Sequence, residues 1–298
     1  MTTSSEVPKY ILILLYIVTG SLTNFGAIDI LAPQWIYLGS INILSCLYFL
    51  FSNNNYLESL NKLSSTTYIY VYILYFVWNC FSYFYAVNPV ETLINLPRIG
   101  NTFFAIFFCF LLISGIKNRI EYISGVFFLF LLAEMISYYY DLSEVYPREG
   151  LRVIAIKGFA GNKNITAASI SFKIPFAIYI LLSYKNRVIK FISYLVLTAG
   201  IFAISLIEAR AAILSTIIVF VFTLLYFFYT IFKNQKNYSI HLKNTLLFAS
   251  PYLIAFLINI FATSFANDKY KKVMITDTLG KISFTEESSN GRFNYWGD

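Results

Sequence analysis

The sequence has 298 residues, 58% of them hydrophobic and 12% charged, with a mean hydropathy of +0.66. That balance excludes a soluble domain of any size and defines an integral membrane protein. The net charge of +7 is spread over short loops; it reads as topology signal and affinity for anionic lipid or phosphate, not as a nucleic-acid footprint.

A span needs about 20 apolar residues to cross about 30 Å of hydrocarbon. By that measure the chain has nine runs: 10–32, 34–51, 67–87, 99–116, 122–140, 164–184, 188–206, 211–232 and 244–265. The second and seventh are the shortest. Lys9 precedes the first run without a small-x-small cleavage site at a suitable distance, so that run reads as a retained span. The first pair is joined across Pro33, as a hairpin. The predicted fold class is all-α: a polytopic transmembrane helix bundle of about nine spans over residues 1–265, then the start of an outer loop over 266–298. Cys46, Cys80 and Cys109 each fall in a different run and read as small buried apolar residues. The single histidine, His241, is placed in an inner loop, so no metal site is expected.

Lysine and arginine in short loops set the orientation. With the N-terminus inside, inner loops carry Lys62; Lys117 and Arg119; Lys185, Arg187 and Lys190; and Lys233, Lys236 and Lys243. Short outer connections carry only Arg98 and Arg210, apart from the loop 141–163 with Arg148, Arg152, Lys157 and Lys163. That loop is either basic for a functional reason or balanced by Asp141, Glu144 and Glu149.

The loop closes on Gly158-Phe159-Ala160-Gly161-Asn162-Lys163-Asn164-Ile165-Thr166. Its glycines and asparagines suit a tight turn, with Asn164 expected to cap the sixth span. Such a capped end is either an ordinary helix start or a place where free N–H groups and the helix dipole receive a phosphate.

Two charges lie deep in apolar runs, Glu134 in the fifth and Lys173 in the sixth. Consecutive spans are antiparallel neighbours, and counted from their outer ends at about 1.5 Å per residue the two sit at comparable depth. A structural pair is favoured over a proton relay. Pro175 is expected to kink the sixth span.

Arg210 stands at a tight connection between the seventh and eighth runs, within Ser205-Leu206-Ile207-Glu208-Ala209-Arg210-Ala211-Ala212. It either anchors the interface by snorkelling or offers its donor fork to a phosphate. Beyond the ninth run the chain turns polar. There Ser288, Ser289 or Asn290 can cap a short helix that places Arg292 and Trp296 on one face.

These stretches together resemble the O-antigen ligase and O-antigen polymerase family of polytopic bacterial glycan transferases. The resemblance rests on Gly161-Asn162-Lys163-Asn164 with Ala167 opening a span, on Ala209-Arg210-Ala211-Ala212, and on Ser288-Ser289-Asn290-Gly291-Arg292 followed by Trp296. It implies transfer of a glycan from an undecaprenyl diphosphate carrier to lipid A-core or to a growing polysaccharide, at the outer face of the bacterial inner membrane. The N-terminus would be cytoplasmic and residue 298 periplasmic. The family's two outer arginines, which bind the diphosphate, map onto Arg210 and Arg292; Asn162, Lys163 and Asn164 become substrate-loop contacts. No metal or other cofactor is implied, and the partners are the carrier-linked glycan, its acceptor and membrane lipids. The family usually has serine or threonine before the first arginine and glycine after it, where this chain has Ala209 and Ala211. It also carries a functional histidine further along the outer loop, followed by more spans. The sequence ends before that point and is read either as the N-terminal fragment of a longer protein or as a truncated, inactive version. Rival readings are a polysaccharide or lipid transporter, which needs a midplane site and repeated halves, and a structural membrane subunit.

Overall fold

The computed structural model describes residues 6–19, 32–51, 61, 64–65, 67–149, 162–207, 209–233 and 238–265. Among the described residues the structure is helical, with no strand. The main helices are α1 (Val7–Val18), α2 (Ala32–Phe51), α3 (Thr67–Phe81, continued by a 3-10 turn Ser82–Phe84), α4 (Pro89–Ser114), α5 (Arg119–Glu149), α6 (Lys163–Ser183), α7 (Arg187–Ile207), α8 (Arg210–Lys233) and α9 (Tyr238–Phe265). Seven of them, α2 and α4 to α9, contain stretches long and apolar enough to cross a membrane, consistent with a multi-pass membrane protein. The other two, α1 and α3, are apolar but shorter. The chain divides into two compact units, Met1–Ile120 and Glu121–Asp298.

Several boundaries differ from the sequence expectation. Pro33 lies in the first turn of α2, not between spans; a missing N–H costs nothing there, because the first turn leaves N–H groups unpaired anyway. The fourth run was expected to begin at residue 99, yet α4 begins at Pro89 and continues through Pro97. Asn88 explains the early start: its side chain accepts from the Glu91 N–H at 3.3 Å and caps the helix. The polar stretch 88–98 had looked like a loop because hydropathy does not register caps. His241 lies in the first turn of α9, not in a loop. The cysteines are not buried as expected: Cys46 is exposed, and Cys80 and Cys109 are half-buried.

In unit 1, α1, α2 and α3 all pack on α4. A polar chain crosses this packing. The Tyr16 hydroxyl donates to Asn42 Oδ1 at 2.8 Å and lies 3.0 Å, oxygen to oxygen, from Ser45 Oγ. Asn42 Nδ2 reaches the Asn101 carbonyl at 2.8 Å, and Asn101 Nδ2 donates to the Trp35 carbonyl at 2.9 Å. Amides inside an apolar helix bundle are tolerated because each finds a partner across helices.

Unit 2 is organised around α6. Of its apolar window 56% is buried, against 17% for α8, so α6 is the central helix. Ile170, Ile174, Ala177 and Leu181 have no exposed surface and meet Leu131 and Tyr138 of α5 and Leu197 of α7 in one core cluster. Helices α6 and α7 meet at Gly200, where a Cβ would lie 3.4 Å from Ile170 Cγ2, room for a methyl group but not for a larger side chain. Inside α6, Pro175 replaces an N–H, leaving the Ser171 carbonyl without its helical donor.

Candidate functional site

The candidate site lies at the end of unit 2 where α7 finishes and α8 begins. Helix α7 ends at Ile207 and α8 starts at Arg210. Ala209 is buried, and its carbonyl accepts from the Ile213 N–H at 3.0 Å, opening α8. That bond fixes the Arg210 backbone at the helix start. The Arg210 side chain is half-buried and engages another group of the protein.

Beneath Arg210 the helices are tied by polar groups. Ser171 of α6 lies 2.6 Å, oxygen to oxygen, from Ser215 of α8 and 3.3 Å from Thr216. Ser215 and Thr216 both donate to the Ala212 carbonyl, at 2.9 and 2.7 Å. On the other side Asn259 of α9, 3% exposed, donates to Ser205 Oγ of α7 at 2.7 Å. Between these ties, α7, α8 and α9 enclose a cavity of about 230 Å³ lined by Ile201, Ser205, Ile213, Phe220, Tyr252 and Asn259, among others. The buried Tyr252 hydroxyl has no hydrogen-bond partner among the described residues.

The start of α6 belongs to the same end. Helices α6 and α8 are each antiparallel to α7, so their N-termini point the same way. The Ser171–Ser215 contact sets their register. Counting back at about 1.5 Å per residue, Lys163 stands about 12 Å above that level and Arg210 about 7.5 Å. The cap of α6 is Asn162 and not Asn164 as expected: Asn162 is extended, at φ −143° and ψ 127°. Its Oδ1 accepts from the Asn164 N–H at 2.9 Å, and its carbonyl from the Thr166 N–H at 2.9 Å. Asn164 already has helical geometry, so it cannot serve as the half-in flanking residue. Lys163 is half-buried and Asn164 exposed.

Two turns or so deeper, the structure brings Glu134 and Lys173 together. Lys173 Nζ donates to Glu134 Oε2 at 2.6 Å, with side chains 11% and 5% exposed. Ser169 joins both, donating to Glu134 Oε2 at 3.4 Å and accepting from Lys173 Nζ. Every charge in this cluster has a counter-charge or a hydroxyl, the condition under which ions persist in an apolar interior.

Arg292 lies outside the described residues, so the predicted pairing of Arg210 with Arg292 falls there too. Sequence reasoning missed Asn259, Ser205 and the Ser171–Ser215–Thr216 cluster. Asn259 had a usable signal, being a lone amide in an apolar run, and such groups face the bundle interior. The hydroxyls had none, because serine and threonine in apolar helices usually bond their own backbone. No family model, curated protein or solved structure matches the chain.

Proposed function

We propose that the chain belongs to a membrane glycan transferase of the O-antigen ligase or polymerase kind, crossing the bacterial inner membrane nine times with its N-terminus in the cytoplasm. In this reading the glycan leaves an undecaprenyl diphosphate carrier at the outer face and passes to lipid A-core or to a growing polysaccharide. Arg210 and Arg292 hold the diphosphate and stabilise the charge that develops on it as the glycosyl bond breaks. Asn162, Lys163 and Asn164 contribute from the start of α6.

The observation that carries this reading is the position of Arg210. It opens α8 at the same end of unit 2 as the start of α6, and a largely apolar cavity lies among α7, α8 and α9 further along those helices. A bidentate cation at the end of a helix bundle that also holds apolar space suits a polyprenyl diphosphate better than a soluble substrate. A lipid or polysaccharide transporter remains the alternative, with the Glu134–Lys173 pair as its buried charge.

The test is a deletion strain complemented with variants, with surface polysaccharide and carrier-linked glycan both measured. Arg210→Ala is expected to match the deletion, with glycan retained on the carrier, and Arg210→Lys to lose much of the transfer. Normal transfer by Arg210→Ala at normal protein levels refutes the diphosphate clamp. Glycan trapped at the cytoplasmic face would instead indicate transport. Reporter fusions at residues 240 and 275 are expected on opposite sides; the same side for both refutes the nine-span arrangement.

A further inference from the structure

We propose that unit 1 contains a site for an anionic phospholipid, in the cleft between α2, α3 and α4, with the phosphate on Arg98. The cleft measures about 490 Å³. Trp35 lines it from the start of α2, Tyr72, Tyr75 and Phe76 from α3, and residues from Asn95 to Ile106 from α4. This site is separate from the one around Arg210 and does not depend on the reading given to that one.

Along α4 the lining changes character. Asn95, Ile99 and Phe103 form one row at four-residue spacing, and Arg98, Thr102 and Ile106 form the next. Each row runs from a polar group to an apolar one over about 12 Å of helix. The cation thus sits nearer the α4 start than the hydrocarbon wall of Phe103 and Ile106, which Phe76 of α3 completes. A phosphate with an attached acyl chain has the same order of polarity, whereas a soluble anion has no use for the wall.

The charges agree. Among the described residues the lining includes one guanidinium and no carboxylate. The nearest acid on α4, Glu91, has its carboxylate 3.5 Å from Asn88 Nδ2 at the cap. Thr102 and Asn95 spend their donors on their own helix, to the Arg98 and Glu91 carbonyls at 3.0 Å each. Arg98 is engaged within the protein as well, but a guanidinium has five donors and a phosphate takes two. The buried Trp35 Nε1 has no acceptor among the described residues. Trp35 lines the cleft, so a movement of its ring would offer that N–H to a headgroup oxygen.

The experiment uses the full chain in detergent, titrated with phosphatidylglycerol, phosphatidylcholine or inorganic phosphate and followed by native mass spectrometry. Phosphatidylglycerol is expected to bind at least tenfold more tightly than phosphatidylcholine. Arg98→Gln should abolish that preference and Arg98→Lys retain part of it. Ile106→Trp, which fills the wall and leaves the charge, should weaken binding several-fold. Arg119→Gln, exposed at the start of α5, should change nothing. Thermal unfolding without added lipid checks that each variant is folded; should Arg98→Gln fail, Ile106→Trp and the lipid comparison still decide. An unchanged preference in Arg98→Gln, equal binding of the two lipids, or displacement of the lipid by millimolar phosphate overturns the proposal.

Discussion

Removing the carboxylate of Glu134 is the most informative perturbation of unit 2. Its Oε2 is 2.6 Å from Lys173 Nζ, and neither side chain exceeds 11% exposure. Water cannot replace the lost partner at that burial. Among the described residues Ser169 is the other side chain on the ammonium, and a hydroxyl neutralises no charge. Glu134→Leu is therefore expected to cost about 3–5 kcal/mol, the range for a stranded buried ion. That is a factor of roughly a hundred to a few thousand in the unfolding equilibrium, at about 1.4 kcal/mol per tenfold. Lys173→Met should cost a similar amount by stranding the carboxylate. The double variant should return to within about 1 kcal/mol of the starting protein or exceed it, because the desolvation cost of both ions disappears with them. Pulse proteolysis in mixed micelles of rising SDS fraction measures all four proteins. Single variants within about 0.5 kcal/mol of the parent, or a double variant equal to the sum of the singles, refute the reasoning.

Asn162→Ala should destabilise the start of α6 by about 1 kcal/mol, the usual loss for a side-chain cap; faster amide hydrogen exchange confined to residues 163–166 checks it. Gly200→Ala should be neutral or stabilising by up to about 1 kcal/mol through helix propensity, because the nearest atom lies at 3.4 Å. Gly200→Ile at the same place should cost about 1–3 kcal/mol by forcing α6 away; thermal unfolding separates the two. Asn259→Leu removes the donor to Ser205 Oγ and should cost only about 0.5–1.5 kcal/mol, since hydrogen bonds between membrane helices are individually modest; the SDS series resolves it, and a loss above about 3 kcal/mol means that Asn259 supports more than Ser205.

The sequence by itself determined the all-helical class and where the apolar helices lie. Hydropathy is a sum along the chain, and burial of backbone amides in lipid leaves a long apolar run little choice but helix. It also contained the depth match of Glu134 and Lys173, because rise per residue is constant and neighbouring helices alternate. Helix ends were less legible. The start of α4 at Pro89 and the cap of α6 at Asn162 depend on single side-chain hydrogen bonds, which no running average detects. Only the tertiary structure decided which polar groups meet. Asn259 with Ser205, Ser171 with Ser215, and Arg98 beside Trp35 and Tyr75 are set by each helix's rotation about its own axis and by its register against a neighbour. Those two quantities are fixed by packing volume, as where Gly200 admits Ile170. Weakly amphipathic helices carry little trace of them in one dimension, since apolar side chains face both lipid and protein.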